Sequence, residues 1–253
     1  MEGASTPNLS AGAAAPHLPT TPRLRYSPRM IRWVHLDTAA VPGGGELRLM
    51  QRGGEFSIMA ERGNELMNSR VHGSEEALAA LAAAQIQGRP APKVLIGGLG
   101  MGFTLRAVLA ALPKAAQVTV AEIVPKVVEW ARGPLAEVVG DSLEDPRVTL
   151  HAGDVADLID EADQAWDAIL LDVDNGPGGL TRAGNDSLYD APGLARAKRA
   201  VSRGGVLGVW SAGPELGFTP RLRRAGFRTQ EHQVRATGGR KGARHVIWIA
   251  VRA

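Results

Sequence analysis

Four stretches of the chain place chemistry-bearing residues directly after short apolar runs. The first is Gly97-Gly98-Leu99-Gly100-Met101-Gly102, after Val94-Leu95-Ile96. Glycines turn sharply and let a backbone approach a ligand, so Gly98, Gly100 and Gly102 are candidates to cradle a nucleoside. Glu122 follows about 20 residues on, after Val118-Thr119-Val120, at the spacing of an acid that accepts hydrogen bonds from ribose hydroxyls. Asp154, with Val155 behind it, comes after Val148-Thr149-Leu150. It can cap a short helix and still offer its second oxygen to a base's amino group. Asp172 ends Ala168-Ile169-Leu170-Leu171 and leads into Val173-Asp174-Asn175-Gly176. A carboxylate there can hold an amine and take its proton before it attacks an electrophilic carbon. Singly, each stretch also reads as a tight turn, a solvated acid, a helix cap or an Asx-rich turn. Together and in order they favour a nucleoside site with an acidic neighbour.

The elements that must position these residues alternate. Apolar runs at Val94, Val118, Val148, Ala168 and Gly205–Trp210 read as strands. Helices are expected after Gly102, from Pro125 to Arg132, near Pro192–Ser202 and over Glu215–Ala225. Phe227–Val234 and His245–Val251 read as a closing antiparallel pair. Strands separated by helices imply a mostly parallel sheet with helices on both faces, and their continuous apolar character fits burial on both sides. In such sheets ligands bind beyond the carboxyl ends of the strands, where the four stretches fall. Ser74–Gln87 reads as a helix with Ser74 as N-cap and the acids Glu75 and Glu76 in its first turn. Before it, glycine turns at Gly43–Gly45 and Gly53–Gly54 separate strand-like runs, a small antiparallel meander. The expected division is an arm over 1–28, a small β-strand domain over 29–72 and a nucleoside-binding domain over 73–253.

Composition bounds the chemistry further. The 253 residues include no Cys, which removes disulfides, thiolate metal sites and a cysteine nucleophile. No apolar run nears the roughly 18 residues of a membrane span, and residues 1–28 lack the apolar core of a secretory signal, so a cytoplasmic protein is expected. The histidines show no metal-site spacing, and no metal is expected. The net charge of +3 is low for a nucleic-acid binder. The basic residues Arg221, Arg223, Arg224, Arg228, Arg240, Lys241 and Arg244 read as a solvated helix face and a hairpin loop.

From about Ser74 to Trp210 the chain resembles the spermidine/spermine synthase (polyamine aminopropyltransferase) family. The resemblance is carried by Lys93-Val94-Leu95-Ile96-Gly97-Gly98, Ala121-Glu122-Ile123, Asp145-Pro146-Arg147-Val148, Gly153-Asp154, Trp166-Asp167-Ala168-Ile169-Leu170-Leu171-Asp172 and Leu188-Tyr189. It implies a Rossmann-like, methyltransferase-type α/β fold with a mostly parallel seven-stranded sheet, preceded by a small N-terminal β meander. It further implies binding of decarboxylated S-adenosylmethionine and transfer of its aminopropyl group to a small-molecule amine, with release of methylthioadenosine. By resemblance, Glu122 binds the ribose, Asp154 lies near the adenine, Asp172 deprotonates the amine, and the protein is a homodimer. Glu76, Asp174 and Asn175 are the expected substrate contacts.

The sequence departs from that family at three places. The family's glycine loop carries an acid that grips the aminopropyl ammonium, and Gly97–Gly102 has none. Its Asp-x-x-Asp-Pro becomes Asp172-Val173-Asp174-Asn175-Gly176, and its Tyr-His-Glu becomes Ser74-Glu75-Glu76. Two alternatives therefore stand beside an aminopropyltransferase with an altered amine site. One is a methyltransferase using S-adenosylmethionine itself. The other is a non-catalytic nucleoside-binding homologue.

Overall fold

The computed structural model describes residues 1–3, 31–60, 63–173, 176–177, 187–239 and 242–253. The chain divides into Met1–Ile31 and Arg32–Ala253, and the strands and helices named below belong to the second unit. The expected arm over 1–28 lies outside the described residues except for 1–3.

The meander is a four-stranded antiparallel sheet in chain order: β1 Val34–Ala40, β2 Glu46–Arg52, β3 Glu55–Ala60 and β4 Glu65–Asn68. The fourth strand has no separate signature in the sequence. It is four residues long and forms by pairing Ile58 with Met67 and Ser57 with Asn68. Too small to stand alone, the meander sends Leu49, Phe56 and Ile58 into the same buried cluster as the larger sheet's helices.

The larger sheet holds β5 Lys93–Gly97, β6 Gln117–Glu122, β7 Val148–Ala152, β8 Trp166–Leu171, β9 Val201–Ser211, β10 Phe227–Arg235 and β11 Arg244–Arg252. Its spatial order is β10-β11-β9-β8-β5-β6-β7, with β5 to β9 parallel and β11 antiparallel to both neighbours. This is the expected Rossmann-like, mostly parallel seven-stranded sheet. Successive strand residues serve opposite faces. Val94, Ile96, Val118, Val120 and Leu170 pack in one core with α1 (Gly73–Gln85), α2 (Phe103–Ala111) and α3 (Pro125–Arg132). Leu95, Ala121, Ile169, Leu171 and Leu207 pack in a second core with α5 (Val155–Asp160), α6 (Ala191–Ala200) and α7 (Phe218–Arg224). The short α4 (Ala136–Val139) lies between α3 and β7 in the chain.

Two local expectations are corrected. The strand expected from Gly205 begins at Val201, because α6 stops at Ala200 and Val201 is already extended. Ser74 is not the N-cap of α1. His72 holds that position without a side-chain cap bond, and Gly73 N–H donates to Ala236 O of the β10–β11 hairpin at 2.8 Å. A side chain at Gly73 would meet Gly238 N at 2.1 Å, so this close approach requires glycine. With the helix start satisfied by the hairpin, the Ser74 hydroxyl is released for other bonds.

Candidate active site

The chain order turns around at β5, which has β6 and β7 on one side and β8 and β9 on the other. The crevice of an open α/β sheet lies at such a switch point. Here it receives the glycine loop after β5 and Asp172 after β8. The two are stitched together by Asp172 N–H, which donates to Gly97 O at 3.1 Å, and the loop is tied to β6 by Gly98 N–H, which donates to Ala121 O at 2.8 Å. Gly98 has φ +88°, and a Cβ there would stand 2.6 Å from the Asp172 carbonyl oxygen. Gly102, at φ +77°, is the N-cap of α2. Leu99 and Met101 are buried in the core. Over Gly100 lies Met67 of β4, whose Cε would be 2.7 Å from a side chain placed there. The meander thus reaches the loop, a contact that local sequence patterns do not signal.

Glu122 ends β6 and is buried. Its Oε2 accepts from Leu99 N–H at 2.9 Å and its Oε1 from Val124 N–H at 2.8 Å. Burial raises its pKa, and the amides of Leu99, Val124, Gly100 and Ile123 oppose that rise. Asp154 caps α5 through Oδ1, which accepts from Ala156 N–H at 3.0 Å. The Val155 side chain is buried, and a Cβ at Gly97 would meet it at 3.1 Å. Glu122, Asp154 and the glycine loop therefore lie at neighbouring strand ends, β6, β7 and β5.

Asp172 Oδ2 accepts from Thr104 Oγ1 at 2.6 Å, joining the end of β8 to the first turn of α2. Burial pushes the Asp172 carboxyl up, the Glu75 charge pushes it further, and the Thr104 bond opposes both; the result is about 7. Glu75, in the first turn of α1, is also raised by burial. It accepts from Ser74 Oγ at 2.5 Å, and Ser74 Oγ lies 2.9 Å from His245 Nδ1 on β11. Glu76, the expected substrate contact, is exposed and has Oε1 2.9 Å from His72 Nδ1. The acid of α1 that acts on Asp172 is its neighbour Glu75. Asp174 and Asn175, the other expected contacts, lie outside the described residues, as do Arg240 and Lys241. Thr104 and His245 are neighbours of the candidate site that the sequence patterns did not single out, and Ser74 and Glu75 were expected there only as helix-start residues. A hydroxyl in the first turn after a glycine loop was the available signal for Thr104.

A site so arranged can hold a nucleoside on the loop and present an ionisable carboxyl to a basic group. Among the described residues no cluster of three or more metal-ligating side chains occurs, and no helix is long and apolar enough to cross a membrane.

Among known proteins, the spermine/spermidine synthase domain matches residues 72–216. The polyamine aminopropyltransferase of Korarchaeum cryptofilum is 32% identical over 121 residues, 48% of this chain and 36% of its own length. That of Nitrosomonas europaea is 32% identical over 127 residues, 50% of this chain and 37% of its own. The matches thus span little more than a third of each curated relative. Spermidine synthase in complex with the transition state analogue AdoDATO superimposes with a TM-score of 0.68 at 20% identity, covering 87% of this chain and 72% of that one. The spermidine synthase of Thermotoga maritima does so with a TM-score of 0.68 at 19% identity, over the same shares. A probable spermidine synthase of Corynebacterium glutamicum gives 0.60 at 12%, over 86% and 79%. At these identities the structures show a shared fold.

Proposed function

Because the chain belongs to the spermine/spermidine synthase domain family, we propose that it moves an aminopropyl group from decarboxylated S-adenosylmethionine to an amine through an altered amine site. The observation that carries this reading is the placement of Asp172. It stands at the switch point, bonded through its backbone to Gly97 of the glycine loop, with its carboxyl near neutrality.

In the reaction so proposed, the amine nitrogen attacks the aminopropyl carbon next to the sulfonium. The new C–N bond forms as the C–S bond breaks, and that electron pair stays on sulfur as the thioether of methylthioadenosine. The nitrogen must be neutral to attack, so an ammonium proton has to leave first. A carboxylate whose pKa lies near 7 is suited to receive it at neutral pH. The glycine loop and Glu122 would hold the ribose, and Asp154 and Val155 the adenine side. The reading includes a small-molecule amine as acceptor, a homodimer and a cytoplasmic place of action.

The test uses purified full-length protein, decarboxylated S-adenosylmethionine and a panel of mono- and diamines, with methylthioadenosine measured by chromatography. Release that depends on one of the amines supports the proposal. Tight nucleoside binding with no methylthioadenosine from any amine would sink it. Methyl transfer from S-adenosylmethionine under the same conditions would replace it.

A further inference from the structure

The proposed chemistry uses Asp172, while a partly buried acid at the start of α1 has no part in it. The starts of α1 and α2 pack together, with the His72 ring stacked on Phe103 at 4.7 Å between centroids, next to the Thr104 that bonds Asp172. Glu75 comes from a different element, α1, and its carboxyl is held through Ser74. Ser74 is fully buried at the start of α1, and its Oγ donates to Glu75 Oε2 at 2.5 Å. The same oxygen lies 2.9 Å from His245 Nδ1, 171 residues away on β11. A hydroxyl has one proton to give. Since Ser74 gives it to Glu75, the bond with His245 needs a proton on Nδ1, donated to Ser74 Oγ. Burial lowers the His245 pKa and so favours the uncharged ring, and the bond to Ser74 Oγ puts that ring's proton on Nδ1. The result is a directed chain, imidazole N–H to hydroxyl to carboxylate, in which each donor sharpens the next.

Two further contacts hold this chain in place. The indole of Trp210 meets the His245 ring edge-on, with centroids 4.8 Å apart at 78°. Gly73 N–H is bonded to Ala236 O, tying α1 to the hairpin that carries His245. A solvated surface acid needs none of this support.

We infer that Glu75 is the second acid of the amine site, anchoring the acceptor's cationic nitrogen beside Asp172, and that Ser74 and His245 are positioning residues for it. The inference rests on the aminopropyltransfer reading and gives that reading a division of labour. Asp172 takes the proton, and Glu75 meets the cationic nitrogen. The charged and titratable groups that act on this pair are Glu76 on Glu75, Glu75 on Asp172, and His245 through Ser74; Thr104 is Asp172's uncharged donor.

Steady-state kinetics on Glu75→Gln, Ser74→Ala, His245→Phe and His245→Asn test it. Charge-assisted hydrogen bonds are worth enough that Glu75→Gln raises the amine KM about 10-fold or more, with the nucleoside KM unchanged. Removing the neighbouring charge also moves the acid limb of the pH profile to lower pH. Ser74→Ala and His245→Phe raise the amine KM about 3- to 10-fold, and His245→Asn, whose amide can stand near Nδ1, restores most of it. Equal losses in both KM values and no shift of the pH limb would overturn the inference. Should the wild-type protein release no methylthioadenosine, the transferase reading fails separately. Calorimetry with 1,4-diaminobutane then decides the inference. Binding weakened 10-fold in Glu75→Gln upholds it, while equal binding or none to the wild type defeats it.

Discussion

Glu122 receives the amide hydrogen of Leu99 at 2.9 Å, and this bond fastens the glycine loop to the end of the neighbouring strand. The second oxygen takes the amide of Val124, so both oxygens of the carboxyl are used to shape backbone. Glu122→Gln must turn an NH2 toward one of two N–H donors and cannot satisfy both. The expected result is a fall in affinity for methylthioadenosine of about 10-fold or more, read by calorimetry, with a lower unfolding temperature. Unchanged affinity would mean that the loop holds its shape without the acid.

Asp172 sets a pH dependence in two separate measurements. Activity needs its base form, so kcat/KM should rise with pH through about 7. Stability should move the other way. Between the ordinary 3.8 and the folded value of about 7, the native state keeps a proton that the unfolded chain has released. Unfolding free energy therefore falls as pH rises across that window, and the contribution is fully present only below it. Glu75, raised in the same direction, adds to the fall. Asp172→Asn should unfold at a higher temperature than the wild type at pH 8.5. The difference should shrink at pH 5, by on the order of 2–4 °C for each kcal/mol involved.

Much of this site is legible in the sequence because the sheet is built from local signals. Val94–Ile96, Val118–Val120, Val148–Leu150 and Ala168–Leu171 are short apolar runs, and an α/β sheet puts its ligand residues just after them. Gly98, Glu122, Asp154 and Asp172 follow from that rule. Ser74 and His245 do not, since their contact exists only once β11 returns antiparallel beside β9 and brings the hairpin to α1. Glu75 and Glu76 are adjacent in sequence, and one step along a helix rotates a side chain by about 100°. Composition treats them alike, while packing half-buries Glu75 against the Ser74 hydroxyl and leaves Glu76 exposed beside His72. Met67 over Gly100 is hidden for the same reason, as β4 is too short to announce itself and is defined by its partner β3.

Thr104 tunes Asp172 without carrying charge. Its hydroxyl donates to Oδ2 at 2.6 Å and so favours the carboxylate over the acid. Thr104→Val keeps the shape and removes the donor. The acid limb of the kcat/KM profile should shift to higher pH, the opposite of the shift expected for Glu75→Gln. At pH 6.5 the rate should fall by up to about tenfold, the equivalent of one pKa unit, and at pH 9 it should recover. A rate lost equally at both pH values would assign Thr104 to packing alone.

Gly98 packs its backbone closely against that of Asp172, so one added methyl group there should disturb both the loop and the acid. Its φ of +88° already disfavours a side chain, and a Cβ would lie 2.6 Å from the Asp172 carbonyl oxygen, a backbone atom that cannot swing aside. Gly88 offers the matched control, because its φ is +90° and a Cβ there meets nothing within 4 Å. Gly88→Ala should cost only the backbone term, about 1–2 kcal/mol. Gly98→Ala adds an overpacking term of about 1–3 kcal/mol. The collision can be relieved only by moving the end of β8 or the loop, so nucleoside affinity and the pH profile of Asp172 should both change in Gly98→Ala and neither in Gly88→Ala. Thermal unfolding, calorimetry with methylthioadenosine and the kcat/KM profile read the three quantities on the same two variants. Equal behaviour of the pair would show that the loop and Asp172 are not in register.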